Sequence, residues 1–264
     1  DKTMNFSQQN NFYYTGMPID LSGVTAARNQ DPEKPYVETP AKATGNDRFD
    51  NRPGDNDWYE TVKLNYGIDY CNGRGRSYHF DPIPNTWAKM TDILLFWASK
   101  GVDGFRCDMV EMVPVAFWQW AIPQVRAQHP GIVFIAEVYT KDLYRTYVNE
   151  VGFDFLYDKS GLYDTLRAVV RGEASARALT WNWQFLGELP PRMLNFLEHH
   201  EEQRFAADFY AGNAESAFSA LAVSLLFGVS PFMLYCGEEF GERGMNAEGF
   251  SQIDGRTSIF DWCT

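Results

Sequence analysis

The stretch Gly101-Val102-Asp103-Gly104-Phe105-Arg106-Cys107-Asp108 decides the fold. It reads as an apolar strand over 102–107 that ends by delivering an arginine and a carboxylate. Cys107 stands between the two, so Arg106 and Asp108 share one face of a period-2 strand. Burying a carboxylate costs several kcal/mol unless a cation or hydrogen bonds compensate it, and Arg106 is the compensator at hand. Taken alone, the pair reads as a structural ion pair at a strand end, and the flanking sequence decides otherwise.

Working outward, Asn85 is placed to cap a helix whose apolar positions Trp87, Met90, Leu94 and Trp97 follow helical spacing, with Gly101 placed to end it. Downstream, a helix is expected over about 113–128, with Pro114 near its first turn and Pro123 bending it, then a turn at Pro130-Gly131. A second buried strand, Ile132-Val133-Phe134-Ile135-Ala136, ends at Glu137. Phe153 to Asp158 reads as a third strand, followed by a helix near 160–171. Arg192 to Leu197 is a fourth, ending in Glu198-His199-His200-Glu201. A helix over 214–227 groups Phe218, Leu221, Ala222, Leu225 and Leu226 on one face and stops at Gly228. A fifth strand, Pro231 to Tyr235, leads to Gly237-Glu238-Glu239.

Strands alternate with helices, and each strand is nearly continuous in apolar residues, which is the pattern of a parallel sheet covered by helices. Polar residues collect at the C-terminal strand ends: Asp108, Glu137, Asp158, His200 with Glu201, and Glu238. A TIM-type (β/α) barrel places its active site there. A doubly wound open sheet concentrates function at one switch point instead, whereas here several strand ends are loaded.

The 264 residues allow one large α/β domain, or one domain carrying a smaller insertion. Residues 1–84 lack sustained periodicity and are rich in Asn, Asp, Gly, Pro and Tyr, so they read as a loop-rich inserted domain packing on the barrel elements of 85–264. Within that insertion, Trp58, Tyr59, Tyr66 and Tyr70 either cover a cleft or supply the small core the segment needs. The aromatic fraction of 16% is high, and such rings fill cores or line sugar-binding clefts. A net charge of −12 argues against nucleic acid or an anionic membrane surface as partner and suits a neutral substrate. No run is long and apolar enough to span a bilayer, and Asp1-Lys2-Thr3 has no signal-peptide character. A secreted or periplasmic address is compatible with the sequence but not fixed by it. Cys71, Cys107, Cys236 and Cys263 form no CxxC pair and read as free thiols, Cys107 and Cys236 as small core residues. His129 beside Pro130 reads as a turn, His79 as a structural histidine or a cleft residue, and Arg204 as holding the loop after the fourth strand, with contact to substrate as the alternative.

Asp108 and Glu137 are 29 positions apart, the length of one strand-helix-strand unit, and so belong at the ends of neighbouring parallel strands roughly 4.8 Å apart. Carboxylates about 5 Å apart suit retaining glycoside chemistry, in which one attacks the sugar while the other donates and then accepts a proton. This points to Asp108 as nucleophile and Glu137 as acid/base. Arg106 would keep Asp108 ionised, and the apolar approach Ile135-Ala136 would help to hold a proton on Glu137.

On these residues the chain resembles the α-amylase family of glycoside hydrolases and transglycosylases. Gly104-Phe105-Arg106-Cys107-Asp108 is similar to the family's strand-four motif, Ile135 to Tyr139 to the strand-five motif, and Phe196 to Glu201 to the strand-seven motif. The Gly228 to Glu238 stretch resembles strand eight. The resemblance implies Asp108 as nucleophile, Glu137 as acid/base, His200 as a substrate-contacting histidine and Arg106 as partner of Asp108. It also implies a substrate of starch-like α-glucan or maltooligosaccharide. Glu201 stands where the family places a third aspartate, and His199 where it places an asparagine. An added methylene shifts the carboxylate by roughly 1 Å, which can cost on the order of 100-fold in rate. The alternative is therefore a carbohydrate-binding or interaction protein on the same scaffold with impaired catalysis. Strands four to eight of the (β/α)8 barrel are legible and the others are expected on upstream polypeptide, since five strands cannot close an eight-stranded barrel and would leave open edges. Met112 stands at a position where many amylases carry a calcium-linked histidine, so no metal site is carried over. The Asp- and Asn-rich turns at 46–57 still leave calcium open as a ligand.

Overall fold

The computed structural model describes residues 7–29, 31–70 and 76–244. Cys71 and Cys263 lie outside the described residues. In chain order the regular elements are a short hairpin of β1 (Ile68–Asp69) and β2 (Ser77–Tyr78), then α1 (Asn85–Ala98), β3 (Gly104–Cys107), α2 (Val115–Gln128), β4 (Val133–Ala136), β5 (Phe155–Tyr157), α3 (Asp164–Val170), α4 (Arg177–Leu186), β6 (Met193–Leu194) and α5 (Ala214–Leu226). They fall into two compact units, one of residues 1–102 with 113–132, the other of 103–112 with 133–264.

The first unit holds the loop-rich segment, α1 and α2. Its aromatic centre is Trp87, whose indole N–H donates to Tyr66 O at 3.0 Å and whose ring meets Phe80, Phe117 and Trp120. Tyr66 packs edge-on against Phe117, and Tyr70 stacks on Phe49 at 3.7 Å, so both serve as core. Trp58 and Tyr59 stay exposed. Asn85 is not the cap of α1; Pro84 occupies that position, and the Asn85 amide instead donates to Asn11 Oδ1. Gly101 ends the helical turn as expected, at the left-handed φ of 88° that glycine adopts without steric cost. Trp97 departs from the expected buried stripe and is exposed; the buried face of α1 is Thr86, Trp87, Thr91 and Ala98. In the turns at 46–57, Arg48 contacts both Asp50 and Asp57, and Asp57 also accepts from Asn46 and the Gly54 amide.

The second unit is built on a parallel sheet in the order β3-β4-β5-β6. Gly104 pairs with Val133 and Cys107 with Ala136, Ala136 with Leu156, and Leu156 with Met193. The expected fifth strand shrinks to one parallel bridge, Asn195 with Phe232, closed by Asn195 N to Pro231 O and Met233 N to Asn195 O. Among the described residues the sheet is open. Its core gathers Tyr157, Phe196 and Leu197 from the strands and loops with Tyr163, Leu166, Ala217 and Ala220 from the helices. The buried face of α5 is Ala217, Ala220 and Ser224, small residues that permit close approach, while Phe218, Leu225 and Leu226 are exposed, the reverse of the expected stripe. Cys236 is likewise exposed and in a turn, whereas Cys107 is buried, and burial pushes its thiol up to about 12. Two π-helical turns, Thr146–Val151 and Lys159–Tyr163, interrupt the helical segments; the second is capped by Asp158, which accepts from Leu162 N.

Candidate active site

The β3–β4 register fixes the site. Because Cys107 pairs with Ala136, the next residues, Asp108 and Glu137, leave the C-terminal ends of adjacent strands side by side, and Glu137 N donates to Cys107 O at 3.1 Å. Gly104 makes this spacing possible: a Cβ there would sit 2.5 Å from Val133 O. Directly after Asp108 the chain turns through Met109 at φ 43°, a left-handed conformation uncommon for a non-glycine residue. That turn aims the Met109 N–H at Glu137, with 2.8 Å to Oε2.

Glu137 is buried, 1% exposed, and donors surround it. Besides Met109 N, the Tyr139 hydroxyl lies 2.6 Å from Oε1, and Arg106 Nη2 is 2.8 Å from the same oxygen, close enough to pair as ions though misaligned for a hydrogen bond. Arg106 also ion-pairs with Asp108 through Nη1, and its guanidinium lies over the Tyr157 ring. Burial works against its charge, but Tyr157, Asp108 and Glu137 together outweigh that and raise its pKa. One guanidinium thus braces two carboxylates of very different exposure, since the Asp108 side chain is 65% exposed.

Glu201 completes the group. Oxygens of Asp108, Glu137 and Glu201 all lie within 4.8 Å of one another, so the loop after β6 brings its carboxylate to the same place despite the longer side chain. Burial first, and then the charge of Glu137, raise the pKa of Glu201. The ring of His200 packs beside His199, and its Nε2 is 3.9 Å from Glu201 Oε1. His199 is buried against Phe196 and Tyr157, and its Nδ1 accepts the Glu201 N–H at 3.2 Å, so this residue fixes the loop from within.

Three further acidic residues lie in the loops after these strands; the reading of the sequence gave no role to Glu111 and placed Glu198 and Glu238 at strand ends without assigning them one. Glu111 accepts from Tyr139 N at 2.8 Å and from Thr140 N, tying the loop after β3 to the loop after β4. Glu198, wholly buried, pairs with Arg204 Nη1 at 2.6 Å and accepts from Phe205 N at 2.7 Å. Arg204 also donates to Cys236 O and so holds this loop, as expected of it. Glu238 caps its own turn by accepting from Tyr235 N. Burial pushes Glu198 up to about 7 and Glu238 up to about 8. Their signal lay in the sequence as acidic residues beside apolar strand ends, but with nothing to show which of them faces inward.

Three neighbouring acids, two of them paired with Arg106, thus stand at the C-terminal end of a parallel sheet. No family profile matches the chain. Over 75 residues, 28% of this chain, it is 37% identical to the alpha-1,4-glucan:maltose-1-phosphate maltosyltransferase of Cereibacter sphaeroides, and 35% identical to the enzyme of that name from Pseudomonas aeruginosa. The matched stretch spans 13% and 11% of those relatives, respectively. Among solved structures, the chain is similar to an α-amylase of Geobacillus thermoleovorans complexed with acarbose (TM-score 0.56, 23% identity, 70% of this chain and 42% of that one). It is also similar to the cyclic alpha-maltosyl-(1→6)-maltose hydrolase of Arthrobacter globiformis (TM-score 0.53, 22% identity, 62% and 38%). The chain therefore spans about two fifths of the length of these structures, and over that part its fold is theirs. The resemblance to the α-amylase family read from the strand-end motifs is borne out.

Proposed function

We propose that this chain carries the reacting half of a retaining glycoside hydrolase or transglycosylase acting on α-glucosidic bonds of α-glucan or maltooligosaccharide. The observation that carries the proposal is the convergence of Asp108, Glu137 and Glu201 within 4.8 Å beside Arg106. Close spacing of the carboxylates suits a double displacement and leaves no room for the water of a single inverting displacement. Asp108, exposed and braced by Arg106, attacks the anomeric carbon. Glu137 manages the proton on the departing and then the incoming oxygen. Glu201 faces the same point and stabilises the oxocarbenium-like transition state, while His200 beside it contacts the sugar. The curated relatives are named as maltosyltransferases, which supports transfer to a sugar acceptor alongside hydrolysis. The four-stranded sheet is proposed to continue into a closed (β/α)8 barrel, with its other strands on further polypeptide.

The test is product analysis with the full-length protein on linear maltooligosaccharides. Retained α-configuration in the first product and loss of turnover in Asp108→Asn by about 10⁴-fold or more are expected, as for removal of a nucleophile. Turnover unchanged in Asp108→Asn would sink the reading, whereas sugar binding without turnover by the wild type would favour a binding role, for which Glu201 and His199 in place of aspartate and asparagine are the motivating residues.

A further inference from the structure

The residue at the end of β5, Tyr157, has no place in the chemistry proposed above, yet it touches two of the groups that hold the carboxylates. The register shows how it reaches them. Arg106 pairs with Ile135 and Ile135 with Phe155, so Tyr157, two residues on, projects from the same face of the sheet as Arg106. Two strand spacings, roughly 10 Å, separate the two backbones, and a guanidinium and a phenol reaching toward each other fill that span. Tyr157 is buried, and Arg106 Cζ lies 5.3 Å from the centroid of its ring. The nitrogens of Arg106 pair with Asp108 and Glu137, but its buried Nε and Nη2 have no hydrogen-bond acceptor. A planar, weakly hydrated guanidinium rests well on the negative face of an aromatic ring, and the two are within range of that attraction. The same ring meets His199, with centroids 5.7 Å apart, and His199 Nδ1 accepts the Glu201 N–H at 3.2 Å. The Tyr157 hydroxyl is engaged separately, donating to Met233 Sδ at 3.9 Å.

We propose that Tyr157 is a positioning residue for the transfer reaction: its ring holds Arg106 and His199 at once, and through them sets Asp108, Glu137 and Glu201 relative to one another. This rests on the glycosidase reading above and adds to it a residue that acts only through others. Arg106 braces two of the three carboxylates, and His199 fixes the loop that carries the third. Tilting the guanidinium off the ring would move Asp108 and Glu137 together, and a misplacement of about 1 Å costs on the order of 100-fold in rate. The imidazole at position 199, where the resemblance places an asparagine, suits this arrangement, for it offers the Tyr157 ring an aromatic surface that an amide lacks. The ring of Tyr157, by its negative face, carries the role; the hydroxyl does not.

The experiment measures kcat, KM and the urea midpoint of the full-length protein acting on a maltooligosaccharide. Wild type is compared with Tyr157→Phe and with trifluoro- and pentafluorophenylalanine at the same position. Fluorine withdraws electron density from the ring face in steps and nearly preserves the ring's shape, so packing is kept while the attraction for the guanidinium fades. Expected for Tyr157→Phe is a kcat within about threefold of wild type, then a stepwise fall to about 10-fold or more below it at five fluorines. KM should stay within about twofold and the urea midpoints close to that of Tyr157→Phe, since the loss lies in placement of the reacting groups. A residue that merely fills space would show no such order. Equal kcat along the series overturns the proposal, as does a loss already complete in Tyr157→Phe, which would place the role in the hydroxyl. A fall in kcat/KM carried by KM alone makes Tyr157 a binding contact, and midpoints that fall in step with kcat make it a structural one; either overturns the proposal. A wild type inert toward the oligosaccharide overturns the glycosidase reading, whereas an active wild type with a flat series overturns the positioning role alone.

Discussion

At position 108 an exposed carboxylate is held by a guanidinium that also contacts a buried one. The two partners of Arg106 therefore respond differently to substitution. Asp108→Asn removes a solvent-screened pair of modest worth, and Arg106 keeps Glu137, so the expected change in unfolding free energy is about 0.5 kcal/mol or less by urea titration, alongside the near-complete loss of turnover. Such a split between stability and activity marks a residue kept for chemistry. The places of Asp108 and Glu137 were legible because each sits immediately after a strand: Asp108 after Gly104 to Cys107, Glu137 after Val133 to Ala136. Tyr139 and Glu111 were not legible in the same way. Their positions depend on how two loops fold back on one another, and no local periodicity records that.

For single elements, the β3–β4 pair carries the geometry of the site. Gly104 faces the Val133 carbonyl so closely that a methyl group would be 2.5 Å from it, and backbone cannot give way as a flexible side-chain tip can. Gly104→Ala is expected to destabilise the fold by about 1–3 kcal/mol, measured by denaturant unfolding, and to lower activity further by separating Asp108 from Glu137. The parallel strands were readable from their apolar runs, including the bridge at Phe232, although only one residue pair of that expected strand forms. Helix faces were read less well. In α5 the large residues Phe218, Leu225 and Leu226 follow helical spacing, yet Ala217, Ala220 and Ser224 face inward. Spacing shows that an apolar stripe exists; the packing between helix and sheet decides which stripe is buried, and here the fully buried positions are small while Leu221 and Val223 pack at their edge.

In the second unit, burial outweighs the neighbouring cations at three buried carboxyls. Glu198 and Glu238 have an ordinary value of 4.5 and are pushed by burial to about 7 and 8, and Asp158 is pushed to about 6. The folded protein thus keeps protons that the unfolded chain releases. The stability contributed by these groups is present in full below the ordinary values, 3.8 for Asp158 and 4.5 for the two glutamates, and is lost as pH rises through 6, 7 and 8, by at most about 1.4 kcal/mol per pH unit for each proton. The thermal midpoint is expected to fall between pH 6 and pH 8, and Glu238→Gln, which cannot ionise, is expected to flatten that fall. A midpoint that rises over this range would contradict the assignment. Acid is also in excess at the site. Asp108, Glu137 and Glu201 face a single Arg106, so carboxyl groups outnumber the guanidinium at the site of a chain whose net charge is already −12. Such a pocket ranks ligands by charge before shape: a sugar mimic bearing a protonated ring nitrogen should bind more tightly than its neutral counterpart of equal size. Its advantage should shrink as added salt screens the field, so the ionic strength of the medium becomes a dial on inhibitor selectivity.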